Sequence, residues 1–214
     1  MNVIARIHND FPTKFGLPRQ SGMAPSLRSK IVFEPEYRIP EALRGLEGFS
    51  HVWLIWGFNA KTWHPTVRPP RLGGNVRMGV FATRSPFRPN PLGLSSVKLE
   101  SIEKDDDGCL VLIVSGADMM DGTPIYDIKP YIPADCHPEA RGGFVDANPQ
   151  TLLNVTIAPE LERLFSEKQL VTLREILAQD PRPAYHDDPQ RIYGLSYAGH
   201  DIHFNVSDGI ISAF

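Results

Sequence analysis

The sequence predicts a mainly β protein: a compact β-barrel domain followed by a small α+β C-terminal domain. Three observations predict it. Short apolar, β-branched segments recur up to about residue 132, separated by turns at the spacing of a barrel or sandwich. No long helical pattern occurs before residue 150, whereas a doubly wound parallel sheet needs helices between its strands. The chain's 20 prolines and 17 glycines are both somewhat high, and call for many turns.

The elements follow in order. "NVIARIHND" (2–10) alternates Val3, Ala5 and Ile7 with polar neighbours and reads as a strand. "FPTKFGLPRQSGMAPSL" (11–27) is a Gly- and Pro-rich loop centred on Arg19 and Gln20. "SKIVFEPEYR" (29–38) is a short strand, and "PEALRGLEGF" (40–49) a short helix with Pro40 early and Gly45 and Gly48 toward its end. "SHVWLIWGFN" (50–59) is the strongest strand, aromatic and β-branched. Strands are also expected at 76–84, 94–105, 109–114 and 123–132, giving six or seven before a polar connector at 135–150. "TLLNVTIA" (151–158) is a strand and "PELERLFSEKQLVTLREILAQD" (159–180) an amphipathic helix. The last segment reads as two or three antiparallel strands turning at Ala198-Gly199 and Asp208-Gly209. The division is therefore 1–149 and 150–214.

Composition removes several classes. With 42% hydrophobic residues and a net charge of −3, the chain is not globally disordered. Its longest apolar run, "HVWLIWGF", is too short to span a bilayer, and "MNVIARIHNDF" lacks the plan of a signal peptide. Cys109 and Cys136 are far apart and form neither a disulfide framework nor a zinc pattern, which suits a reducing cytoplasm. No phosphate-binding loop, dinucleotide fingerprint, metalloprotease helix or serine elbow is present. His200 and His203 fall in an alternating strand rather than a metal site, and His51 reads as a structural histidine.

Charge is unevenly placed. From Gly48 to Leu99 there is no Asp or Glu, but there are seven basic residues: Lys61, Arg68, Arg71, Arg77, Arg84, Arg88 and Lys98. Arginine's planar fork suits phosphates and carboxylates, so an anionic ligand is favoured over a merely solvated face. Three loops carry the chemistry. "GLPRQSG" (16–22) presents Arg19 and Gln20. "GVFATRSPFRPNPLGLS" (79–95) is stiffened by Pro86, Pro89 and Pro91, carries Arg84 and Arg88, and has at Gly93 a backbone open to close approach. "GADMMDGTPIYDIKPY" (116–131) supplies Asp118, Asp121 and Asp127 beside a Gly turn. Each alone is compatible with plain structure; three at strand ends point to one shared site.

These segments resemble the TsaA/TrmO family. "GVFATRSPFRPNPLGLS" and "DGTPIYDIKPY" carry the likeness, with "LPRQSG", "LRGLEGFSHVWLIWGF", "HPTVRPPRLGGNVRMG" and "REILAQDPRPAY" extending it over most of the chain. The resemblance implies a barrel-type tRNA methyltransferase using S-adenosylmethionine, working as a homodimer with the donor near the subunit interface. Its implied reaction methylates the exocyclic nitrogen of threonylcarbamoyladenosine beside a tRNA anticodon, with no metal and no membrane. The donor site it implies comprises Pro18, Arg19, Gln20, Asn59, Ala60, Arg84, Leu94, Asp118, Asp121 and Thr123.

Methyl transfer from a sulfonium needs alignment of donor and acceptor more than covalent catalysis. Either Arg19 or Arg84 suits the donor's carboxylate, and either Asp118 or Asp121 its ammonium or ribose hydroxyls. Asp121, Tyr126 and Asp127 are the candidate proton acceptors for a weakly nucleophilic ureido-like nitrogen. Arg68, Arg71, Arg77 and Arg88 are candidates for RNA phosphates, joined by Arg182 and Tyr185 from "DPRPAY". Two other readings use the same residues: a non-catalytic RNA-binding barrel and a small-molecule methyltransferase.

Overall fold

A computed structural model of the chain describes residues 1–214 except 184, 185 and 187. Side-chain alternation organises its first half. β1 (Ala5–His8), β2 (Arg28–Phe33) and β3 (His51–Gly57) each bury every second residue through most of their length. β4 (Thr66–Val67) and β5 (Met78–Gly79) form a separate two-stranded arm. β6 (Leu92–Lys104), β7 (Leu110–Ser115) and β8 (Pro124–Pro130) complete a closed antiparallel barrel in the order β1-β2-β7-β6-β3-β8. Closure leaves the barrel no free edge. Its interior is filled by Ala5, Ile7, Ile31, Val52, Leu54, Trp56, Val97, Leu112, Val114 and Ile125, each at most 5% exposed. Burying one such aliphatic side chain stabilises the fold by about 1.5–3 kcal/mol.

The second half is built on a four-stranded sheet, ordered β10-β11-β12-β9, from β9 (Asn154–Ile157), β10 (Tyr193–Tyr197), β11 (His200–Ser207) and β12 (Ile210–Ala213). Only β9 and β12 run parallel. The two hairpins turn where expected. Ala198 and Gly199 have φ of 50° and 79°, and Asp208 and Gly209 have 52° and 75°, the left-handed pair of a tight two-residue turn. Against the sheet pack α1 (Pro159–Glu162) and α2 (Glu167–Ala178), with Leu161, Leu173, Ile176 and Leu177 buried.

Three elements depart from expectation. The helix expected at 40–49 is two separate 3₁₀ turns, Pro40–Leu43 and Leu46–Gly48. Gly45 at φ 89° interrupts them, and neither is long enough to hold an α-helical ladder. The strand expected at 76–84 shrinks to Met78–Gly79, followed by a 3₁₀ turn at Val80–Ala82; among the described residues its strand partner is the short β4. The helix expected over 159–180 is broken at Ser166. That residue caps α2: its hydroxyl accepts from the Gln169 N–H while the Gln169 side chain accepts from the Ser166 N–H.

The two cores share one segment. Phe11, Ala24 and Leu27, from the loop between β1 and β2, are buried in the C-terminal core beside Tyr197, Phe204 and Leu173, with Phe15 and Leu17 packed on it. Glu175 of α2 accepts from both the N–H (3.0 Å) and the hydroxyl (2.9 Å) of Ser26, and the Gln179 amide donates to the Met23 carbonyl at 3.0 Å. The loop bearing Arg19 and Gln20 is thus mounted on the C-terminal unit at both of its ends.

Candidate functional site

Three distant segments meet at one end of the barrel. The Gly22 N–H donates to the Gly116 carbonyl at 2.8 Å, which ties the 16–22 loop to the end of β7. Gly116 has φ 78°, and a Cβ there would meet the Gly22 backbone at 3.3 Å, so the close crossing needs a glycine. Arg84 reaches from the proline-rich loop and donates from Nη1 to Gln20 Oε1 at 2.5 Å. The other end of the Gln20 amide donates to the Arg19 carbonyl at 2.6 Å, which fixes the direction of that amide. Asp118 lies between these loops and accepts from the Ser95 hydroxyl at 2.5 Å.

Burial pushes the Asp118 carboxyl above the usual carboxylate range. The Ser95 hydroxyl, its own amide, the Arg84 charge and the Ser21 N–H pull it back down. Ser95 is itself 1% exposed and accepts from the Trp56 indole N–H at 2.9 Å. Gly93, read above as open to close approach, is approached from inside: the Trp56 ring occupies the space its side chain would take.

The remaining candidates divide. Pro18 is buried under the loop, and Arg19 Nη2 donates to the Asp180 carbonyl at 3.2 Å, facing the C-terminal unit. Asn59 and Ala60 follow β3, whose end is held to the proline-rich loop by the Phe58 N–H on the Pro91 carbonyl at 2.8 Å. Leu94 is 55% exposed, on the opposite face of β6 from Gly93 and Ser95. Thr123 is buried, its hydroxyl closing the turn on the Met120 carbonyl at 2.7 Å.

Of the proton-acceptor candidates, Asp121 accepts from the Asn9 N–H and pairs with His8 Nδ1 at 3.0 Å. Asp127 accepts from the Ile128 N–H and lies 3.0 Å from Lys129 Nζ. Tyr126 sits at a register shift between β3 and β8, where Ile55 pairs with Asp127 but Trp56 with Ile125, and its ring covers Gly57. Such a bulge re-aims a side chain.

The arginines also divide. Arg68 and Arg77 are exposed on the arm, with Arg77 donating to Thr66 Oγ1 at 2.8 Å. Arg88 folds back, donating to the Val80 (3.1 Å) and Thr83 (2.6 Å) carbonyls and lying over the Phe81 ring. Arg71 donates to the Asn148 carbonyl at 3.0 Å. Arg182 pairs with Asp180 through Nε and Nη2, both at 2.8 Å, and Tyr185 lies outside the described residues. His51 accepts or donates at Nδ1 to the Ser50 hydroxyl at 3.0 Å. His200 and His203 occupy β11, and among the described residues no group of three or more His, Cys, Asp or Glu could hold a metal ion. No helix of the described residues is long and apolar enough to cross a membrane.

Sequence reasoning missed Ser95, Trp56 and Ser21. A signal for the first two was present: on a strand, Gly93 and Ser95 share a face, and "PLGLS" places a small and a polar residue where a large apolar one would fill a barrel.

Fold and site together define a closed-barrel protein with a hydrogen-bonded cluster of opposite charges at one end of the barrel, distinct from the crevice of nucleotide-binding α/β sheets. Residues 6–136 match the tRNA-methyltransferase O N-terminal domain and residues 150–214 the TrmO C-terminal domain, so the chain belongs to the tRNA-methyltransferase O family. It is 40% identical to the Escherichia coli tRNA (adenine(37)-N6)-methyltransferase, over 99% of this chain and 94% of that one. A Pseudomonas aeruginosa relative, 43% identical over 94% of this chain and 90% of its own, is named for an S-adenosylmethionine-dependent methyltransferase. The crystal structure of TrmO from Pseudomonas aeruginosa superposes with a TM-score of 0.79 at 34% identity, covering 99% of this chain and 94% of that chain.

Proposed function

We propose that this chain transfers a methyl group from S-adenosylmethionine to the exocyclic nitrogen of adenosine 37 in tRNA, and that the adenosine carries a threonylcarbamoyl group. Family membership across both halves of the chain supports the reaction. The convergence of Arg84, Gln20 and Asp118 is the observation that supports the donor site. A fixed guanidinium and a buried carboxylate match a ligand that bears both a carboxylate and an ammonium. When bound, S-adenosylmethionine supplies an electrophilic methyl group; the new C–N bond forms as the C–S bond breaks, and sulfur keeps the electron pair. The chain's residues align the two partners and take the nitrogen's proton.

Arg84 holds the donor carboxylate and Asp118 its ammonium, with Gln20 orienting Arg84. Pro18, Arg19, Asn59, Ala60, Leu94, Asp121 and Thr123 complete the donor site. The proton acceptor is drawn from Asp121, Tyr126 and Asp127. RNA phosphates meet Arg68 and Arg77 on the arm, while Arg71, Arg88 and Arg182 hold the RNA-facing loops in shape. Residues 1–149 bind the donor, and 150–214 buttress its loop and extend the RNA surface. The active form is a cytoplasmic homodimer with exposed Leu94 at the subunit contact.

Labelled donor with two tRNAs, one bearing threonylcarbamoyladenosine and one lacking it, tests the reading. Transfer to the modified tRNA alone supports it. Equal transfer to both removes the threonylcarbamoyl requirement, and donor binding too weak for calorimetry leaves an RNA-binding barrel.

A further inference from the structure

We propose that Ser95 is a positioning residue for methyl transfer: locked by Trp56, its buried hydroxyl orients the Asp118 carboxylate for the ammonium of the methyl donor. This rests on the reading of Asp118 as a donor-site residue.

The Trp56 indole N–H only donates, and it points at Ser95 Oγ from 2.9 Å. A serine hydroxyl has one proton. With a lone pair taken by the indole, that proton is directed to its other neighbour, Asp118 Oδ1 at 2.5 Å. The direction of the chain is therefore set by its first member: Trp56 to Ser95 to Asp118. Ser95 is 1% exposed and Trp56 5%, so water does not compete for the hydroxyl. The indole is itself held, because its ring fills the space above Gly93, two residues before Ser95 on the same face of β6. The register reinforces this: Trp56 pairs with Gly93 and Leu54 with Ser95 across β3 and β6.

Asp118 is faced by Ser95 from β6, by Arg84 from the proline-rich loop and by the Ser21 N–H from the 16–22 loop, as well as by its own amide. All four favour the ionised carboxylate against its burial. Arg84 and Ser21 sit on loops; Ser95 is the contact anchored in the barrel wall. Loss of its hydroxyl removes a donor from a desolvated carboxylate and leaves a buried indole N–H without its acceptor. The carboxylate then takes up a proton at higher pH and turns from the direction the donor's ammonium requires.

The test has two readouts. Carboxyl-carbon NMR follows the Asp118 titration in the free protein, and calorimetry follows S-adenosylmethionine binding from pH 5.5 to 8.5. In Ser95→Ala the Asp118 midpoint is expected to rise, and donor affinity to fall about tenfold at the acid end and less at the alkaline end. Ser95→Thr, which keeps a hydroxyl, restores both. Trp56→Phe keeps an aromatic ring but no N–H, frees the serine hydroxyl and moves the midpoint in the same direction by less. Should Ser95→Ala not fold, the threonine and phenylalanine variants carry the comparison. An unmoved Asp118 midpoint in Ser95→Ala or Trp56→Phe overturns the positioning role, even with Asp118→Asn defective in donor binding. A moved midpoint with unchanged donor affinity in Asp118→Asn overturns it from the other side, because the donor-site reading then fails while the hydrogen bond stands.

Discussion

Arg84 and Gln20, 64 residues apart in the chain, share a hydrogen bond of 2.5 Å. The bond joins a loop rooted in the barrel to a loop rooted in the C-terminal core, and it fixes a cation between them. The two side chains therefore act as one unit. Arg84→Ala is expected to weaken S-adenosylmethionine binding more than tenfold and tRNA binding much less. Gln20→Ala should weaken donor binding by a smaller factor. In a double-mutant cycle the coupling is expected at about 0.5–3 kcal/mol, as for residues in direct contact. Calorimetry on the four proteins checks it, and simple additivity would refute the coupling.

Asp118 sets function against stability. Its carboxyl pKa is raised by burial, so the folded state binds the proton more tightly than the unfolded chain does. Stability from this group is fully present below the ordinary carboxylate pKa and is lost as pH rises through the raised one. Asp118→Asn removes that loss at neutral pH. The variant is expected to lose donor binding yet melt at a higher temperature than the wild type at pH 7.5. The gain should fade as pH drops through the ordinary Asp pKa of about 3.9 and vanish well below it, where the wild-type carboxyl is protonated in both states. Scanning calorimetry across pH measures it, and a lower melting temperature at neutral pH would refute it.

The arginines of the acid-free stretch should separate by experiment. Arg68 and Arg77 are exposed, so each alanine variant is expected to lower the salt dependence of tRNA binding by about one counterion. Neither should alter donor affinity. Arg88→Ala is different, because its guanidinium satisfies the Val80 and Thr83 carbonyls. It should loosen the whole proline-rich loop and weaken donor and tRNA together. Filter binding at several salt concentrations distinguishes the two behaviours.

Glu175 carries the contact between helix α2 and the donor loop. Glu175→Ala strands the Ser26 N–H and hydroxyl, at an expected cost of about 1–3 kcal/mol in stability. Because Ser26 lies just beyond the 16–22 loop, donor affinity should fall as well, although Glu175 is no part of the proposed donor site. Hydrogen exchange at residues 20–27 reports the loosening directly; unchanged protection there would refute the mounting.

Much of the architecture was legible from local pattern. The barrel strands alternate in burial, and their β-branched and aromatic residues announce them. The two C-terminal hairpin turns fall at the Ala198-Gly199 and Asp208-Gly209 pairs that the sequence marks as turns. Family membership followed from long loop motifs, which brought Arg84, Gln20 and Asp118 forward together. Where local pattern failed, a local competitor won. Gly45 interrupted the expected helix at 40–49, and Ser166 capped a new helix inside a continuous amphipathic pattern. The strand expected at 76–84 found only a two-residue partner.

The tertiary structure decided three things that no spacing encodes. It buried Phe11, Ala24 and Leu27 in the C-terminal core, so the donor loop belongs to both halves of the chain. It gave Gly93's open space to Trp56 instead of a ligand. It turned Asp118 to Ser95 while Asp121, three residues on, turned to His8 and Asn9. The sequence by itself determined which residues alternate, turn and carry charge, because those properties depend on near neighbours along the chain. Which carboxylate is desolvated, and which arginine is already engaged, depends on groups 23 to 161 residues away, and only the closed barrel and its docked sheet bring those groups within hydrogen-bonding distance.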